Sequence, residues 1–222
     1  MCDDVGVGRI RPTVLKMKKM CETKEKLLQV GFDLIWDSSY GSVSVDDICK
    51  RAGVNKGSFY HFFPSKVDLA LAAMEHSYEE VKRLYDPIFS ADTPPLQRFE
   101  RMVALIIEKQ TETVQKFGRV CGCPDTSLSC EMAGLENRIR AKFEEVASRK
   151  KRYYETTLRD MVGEGMLPPD TDVKVKAHEL FAYLLGQMTL ARIQNDLTPL
   201  KRDLMPGLLG LLGLPDKAAL AS

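Results

Sequence analysis

Tryptophan occurs once and histidine three times in this 222-residue chain, and no Glu-x-x-His pair exists from which a helical bundle could build a di-iron site. Also missing are a glycine-rich phosphate loop, a His-Glu-x-x-His element and any pair of Cys-x-x-Cys elements. These absences weigh against an all-helical enzyme, and no cofactor is expected. No apolar run approaches the roughly 18 residues a membrane span requires. The amino-terminal region carries Asp3 and Asp4 and no apolar stretch, unlike a signal peptide. A cytoplasmic location with no membrane partner is therefore expected, with the six cysteines as thiols and not a disulfide framework. A net charge of +1 gives no global attraction to nucleic acid, so any such claim rests on where the cations sit.

What is present is most informative between residues 44 and 63. Ser44 with Asp47 three positions on is a helix-capping pattern, and Val45, Ile48, Cys49 and Ala52 recur at helical spacing until Gly53 offers the left-handed conformation that ends the helix. After a tight turn, Asn55 caps a second short helix. Phe59 and Phe62 or Phe63 lie on its buried side, and Lys56, Gly57, Ser58, Tyr60 and His61 surround its outer face. Pro64 stops it, and Ser65 with Asp68 starts another helix near Lys66, whose first turn suits a phosphate. An outer face with donors, a cation and two flat rings is DNA-contacting chemistry.

These residues carry a family resemblance. Leu28, Val30-Gly31, Leu34-Ile35, Gly41, Ser44-Val45, Ile48, Ala52-Gly53-Val54, Gly57, Phe59-Tyr60, Phe62, Lys66 and Leu69 stand in register with the DNA-binding domain of the TetR family of one-component transcriptional regulators, which residues 27 to 69 resemble. The resemblance implies a homodimer that binds a palindromic double-stranded DNA operator, usually represses, and lets go when a small-molecule inducer binds the second domain. It also implies that Ser44, Tyr60, His61 and Lys66 contact phosphates. Val45, at the start of its helix, joins the interface, and Asn55, Lys56, Gly57 and Ser58 lie nearest the base edges. The competing classes are an all-helical enzyme and a protein-interaction module without DNA binding; the outer face of the second short helix speaks against the latter.

The expected organisation is an arm over residues 1–22, a helix-turn-helix domain over 23–68 and a ligand-binding and dimerisation domain over 69–222, with about nine helices in all. The arm holds Arg9, Arg11, Lys16, Lys18 and Lys19 without an acidic residue between Arg9 and Lys19; it is either a groove-seeking basic segment or a solvated tail. A helix from about Thr23 to Ser38 packs on the reader pair, with Trp36 expected to seal that small core. A connecting helix is expected to end before Asp86-Pro87, and a central apolar helix runs from Leu96 to Val114. A long pattern follows through Val162, with a break at Gly134. The last two helices, over 172–195 and 199–212, present broad apolar surfaces suited to a dimer interface.

The connector from Phe117 to Thr126 is punctuated by Gly118, Gly122 and Pro124 and leads to a helix expected near Ser127 or Ser129. It carries Cys121 and Cys123, with Cys130 beyond, and Gly122-Cys123-Pro124 resembles a Gly-Cys motif of a TetR subgroup that includes regulators of electrophile-detoxifying reductases. Thr126-Ser127 stands where that subgroup usually has Gly-Asn, and Cys121 and Cys130 are additional. Three readings stay open: reactive thiols activated by a helix N-terminus or by Arg119, a trigonal site for a thiophilic metal ion, or small apolar packing residues. Cys49 belongs to a buried stripe. His178 is either a pocket or a surface residue.

Overall fold

The computed structural model describes residues 12–215, and among these the chain is all helical, with α1 (Pro12–Asp37), α2 (Val45–Ala52), α3 (Lys56–Phe62), α4 (Lys66–Ile88), α5 (Pro95–Phe117), α6 (Pro124–Met132), α7 (Asn137–Gly163), α8 (Val173–Gln194) and α9 (Thr198–Leu212). The local signals of the reader pair are realised as drawn. Ser44 and Asp47 form a reciprocal capping box, Gly53 takes φ 66° at the end of α2, and Asn55 Oδ1 accepts from the Ser58 N–H at 2.8 Å.

Three boundaries differ from expectation. The first helix starts at Pro12 and not near Thr23, because a proline at the first helical position costs nothing and no breaker follows it. Lys16, Lys18 and Lys19 thus lie on helical backbone, while Arg9 and Arg11 fall outside the described residues. α4 runs through Pro87 to Ile88, the Phe89 N–H reaching Tyr85 O at 2.8 Å across the proline. α6 begins at Pro124 with Cys123 as its N-cap residue, again because proline suits the first turn. The break expected at Gly134 is present, with α7 starting at Asn137.

Two cores result. In the head, Leu27 and Ile35 of α1, Ile48 and Ala52 of α2, Phe59 of α3 and Leu69 of α4 interlock, and Leu128 of α6 and Ile139 of α7 complete them from the body. Full burial of Phe59 fixes α3 against α1 and contributes about 2–3 kcal/mol. The body core gathers Phe99 and Met102 of α5, Tyr154 and Leu158 of α7, Leu180 and Leu184 of α8, and Leu204 and Leu208 of α9. No described helix is long and apolar enough to cross a membrane.

Candidate nucleic-acid interface and ligand cavity

α3 buries one side and offers the other. Asn55, Lys56, Gly57, Tyr60 and His61 are exposed and Ser58 is half-buried, while Phe59 and Phe63 face the core. Tyr60 is 52% exposed, its ring held edge-on against Phe59 at 5.3 Å, so it projects from a rigid mount. Lys56 pairs with Asp46 at 2.8 Å, which raises the lysine pKa through that hydrogen bond. Because both side chains are well exposed, the pair is easily exchanged for another anion. Ser44 is exposed at the α2 N-terminus and Val45 is half-buried beside it.

Lys66 sits differently from its expected phosphate contact. Its ammonium turns inward, donating to Tyr40 O and Val43 O at 2.8 Å each, and lies 3.9 Å from the centre of the Tyr40 ring. Burial pushes its pKa down, with the Glu131 carboxylate acting the other way. Sequence spacing gave no hint of this, because the two carbonyls belong to the loop before α2, more than 20 positions away. Lys66 and Glu131 clamp that loop together: the Glu131 carboxylate of α6 accepts from the Tyr40 N–H at 2.8 Å and the Gly41 N–H at 2.6 Å.

Between head and body lies a cavity of about 590 Å³, within the range of small-molecule sites. Its walls come from α1, α4, α5, α7 and α8 and from the start of α6 with Cys123 before it, with Leu105, Ile106, Leu184, Leu185 and Met188 as apolar surface. Trp36 lines it too, which corrects the expectation that it seals the head core. Instead it sits at the boundary, its ring against Phe32 and Phe117 and its Nε1–H donating to Gly122 O at 3.2 Å. Gln110 Nε2 donates to the same carbonyl from α5, also at 3.2 Å. Gly122 holds φ 66°, and a side chain there would bring its Cβ within 3.2 Å of Met188 O, so glycine is what the close approach admits.

The connector cysteines go three separate ways. Cys121 is buried, and burial raises its pKa although Arg119 and Arg192 pull down. Cys130 is exposed, and Cys123 alone of the three lines the cavity. A shared trigonal metal site is therefore not formed; among the described residues no group of three His, Cys, Asp or Glu side chains is placed to hold a metal ion. The cation near Cys123 is Lys150, whereas Arg119 is occupied with Asp37 at 2.8 Å. Burial acts to lower the Lys150 pKa, but the Asp125 carboxylate at 2.8 Å and the neighbouring Cys123 reverse that and leave it raised. Tyr85 and Tyr154 line the same cavity, and burial lifts both phenols. His178 is exposed and does not line the cavity.

One face is left for a partner. On α8, Ala182, Gly186, Leu190 and Ile193 are exposed at helical spacing, Ile193 at 74%, and nothing lies within 4 Å of a Cβ built at Gly186 or at Gly210 of α9.

Two family models match the chain, one in each part. Residues 27–73 match the bacterial regulatory proteins of the tetR family, and residues 95–204 match the tetracyclin repressor-like C-terminal domain. Transcriptional regulator AcuR of Cereibacter sphaeroides is 30% identical over 79% of this chain and 79% of its own. The HTH-type transcriptional repressor NemR of Escherichia coli strain K12 is 26% identical over 82% of this chain and 90% of its own. A crystal structure of regulatory protein TetR from Rhodobacter sphaeroides superposes with a TM-score of 0.71 at 28% identity, covering 85% of this chain and 96% of that one. Regulators of this kind bind operator DNA, act as dimers and respond to small molecules. With a helix-turn-helix head, a cavity-bearing helical body and both domain matches in sequence order, the chain belongs to the TetR family of transcriptional regulators, which are DNA-binding proteins and not enzymes.

Proposed function

We propose that the protein is a homodimeric repressor that grips a palindromic operator with two copies of α3 and releases it when a thiol-reactive small molecule enters the cavity and meets Cys123. One observation carries the sensor part of this reading: of three connector thiols, Cys123 alone opens on the cavity, and the residue before it holds Trp36 of the head and Gln110 of the body on one carbonyl. The family membership supports repression and ligand response, and the repressor from Escherichia coli among its relatives supports the sign.

On the DNA side, Ser44, Tyr60 and His61 are assigned to phosphates, with Val45 at the same edge. Asn55, Lys56, Gly57 and Ser58 are assigned to the base edges, and Lys66 supports the head from within. A dimer through α8 and α9 sets the two α3 helices about one duplex turn, roughly 34 Å, apart. Filling a cavity walled by α1 and α4 biases the body toward arrangements in which that spacing is wrong. A ligand with higher affinity for those arrangements lowers operator affinity.

N-ethylmaleimide is a suitable first probe. Addition of the Cys123 thiol across its alkene forms one C–S bond and delivers the thiol proton to the adjacent carbon through solvent, with no cofactor required. After footprinting locates the operator on DNA upstream of the gene, fluorescence anisotropy reads release. The wild type, Cys121→Ser and Cys130→Ser proteins are expected to let go on treatment, and Cys123→Ser to stay bound. Undiminished release from Cys123→Ser overturns the assignment of the sensor.

A further inference from the structure

The polar end of the cavity contains two acceptors with nothing to accept from. Asp125 is 2% exposed and Gln110 is 5% exposed, both line the cavity, and neither Asp125 Oδ1 nor Gln110 Oε1 has a hydrogen-bond partner. The other half of each side chain is committed, Asp125 Oδ2 to the Lys150 ammonium at 2.8 Å and Gln110 Nε2 to Gly122 O at 3.2 Å, so neither group is free to rotate away and satisfy itself. Buried acceptors left bare are destabilising, and a ligand that supplies the missing donor recovers that cost on binding.

The charge at this end decides which donor. Asp125 and Lys150 already neutralise one another, with side chains 3% and 13% exposed. A third buried charge has no counter-ion: a carboxylate ligand meets the Asp125 carboxylate and the bare Gln110 oxygen, and an ammonium ligand meets Lys150. A neutral hydroxyl avoids both penalties. It donates to Asp125 Oδ1 or Gln110 Oε1 and keeps a lone pair to accept from the ammonium. The cavity's other carboxylates and ammonium groups are already paired, Asp33 with Lys116, Glu112 with Lys109 and Glu80 with Arg83, and the apolar wall from Leu105 and Ile106 across to Leu184, Leu185 and Met188 takes an apolar body.

We infer that this cavity selects a neutral, largely apolar molecule carrying a hydroxyl or amide N–H donor, read by Asp125 Oδ1 and Gln110 Oε1. This rests on the reading of the cavity as the inducer site, and it names the chemical class of the inducer; it does not depend on the reactivity of Cys123.

A matched series on one scaffold tests it: 2-naphthol, 2-methoxynaphthalene, 2-naphthoate and 2-naphthylmethylammonium, titrated into the full-length protein by calorimetry. 2-Naphthol is expected to bind about tenfold or more tightly than each of the other three. In Gln110→Met, and in the paired replacement Asp125→Leu with Lys150→Met, the margin over the methyl ether is expected to shrink toward unity. Equal binding of naphthol and its ether, tighter binding of the naphthoate or the ammonium, or no binding by any member overturns the inference. The wild-type series decides the matter even where a variant fails to fold. Anisotropy on operator DNA separates the two readings: donor-selective binding in which saturating 2-naphthol neither releases the DNA nor slows release by N-ethylmaleimide leaves this site standing and removes it as the inducer site. Release without donor preference does the reverse.

Discussion

Replacing Lys66 by methionine separates a structural cation from a DNA-facing one. The substitution keeps the aliphatic stem and removes an ammonium that donates to Tyr40 O and Val43 O and sits over the Tyr40 ring. Charge-assisted hydrogen bonds contribute about 1.5–3 kcal/mol each. Burial, the same effect that lowers the Lys66 pKa, takes part of that back, so a net loss of about 2 kcal/mol is expected. For a chain of this size that corresponds to a fall of about 4–8 °C in melting temperature. The salt dependence of operator binding gives an independent readout, since each lost phosphate contact flattens the log–log slope by about 0.9. If Lys66 acts from inside the head, Lys66→Met melts earlier and keeps the slope, whereas Tyr60→Phe keeps the melting temperature. Calorimetric melting and anisotropy titrations between 50 and 200 mM salt, about the range over which such slopes are resolved, measure both. A Lys66→Met dimer with unchanged stability and a slope reduced by about 2 would refute the inward role.

Lys150→Met alone strands the Asp125 carboxylate and is expected to cost about 3–5 kcal/mol in urea unfolding. Adding Asp125→Leu is expected to restore most of it, because a neutral apolar pair has no stranded charge. Ile193→Glu places a charge on the exposed α8 stripe; sedimentation velocity is expected to report a monomer, with operator affinity falling alongside. Glu75 joins α4 to Lys142 and Arg149 of α7. Burial raises its pKa, but these two cations outweigh that and hold it below the ordinary 4.5. Its contribution to stability is therefore complete above about that pH and lost as the pH falls through the lower native value. Glu75→Gln is expected to lower the melting temperature at pH 7 and to flatten its decline on acidification below 4.5.

Local chemistry made the head legible. The capping pair Ser44 and Asp47, the left-handed Gly53 and the Asn55 cap each act within a few residues, so their sequence pattern and their geometry are nearly the same statement. The outward residues of α3 followed from the same periodicity. The inward turn of Lys66 was not legible, because its partners are set by how a loop folds back and not by spacing along the chain. The start of α6 at Pro124 is hidden in the sequence because proline reads as a loop breaker, although it is equally at home at a first helical position. Among the cysteines, Cys-x-Cys spacing suggested convergence. Backbone at Gly122 turns one thiol into the core and the next toward the cavity, and only the packed fold distinguishes them. The Asp125 and Lys150 pair had no sequence signature at all, since its members stand 25 positions apart on different helices.

The junction at Gly122 has a further consequence. Because head and body meet on a main-chain oxygen, no amino-acid replacement can delete the acceptor itself. The donors, Trp36 and Gln110, are replaceable, so the wiring can be weakened from either bank but its post cannot be pulled out. Cavity walls other than Trp36 and Gln110 can therefore change without touching the bonds that tie the two parts together at this atom.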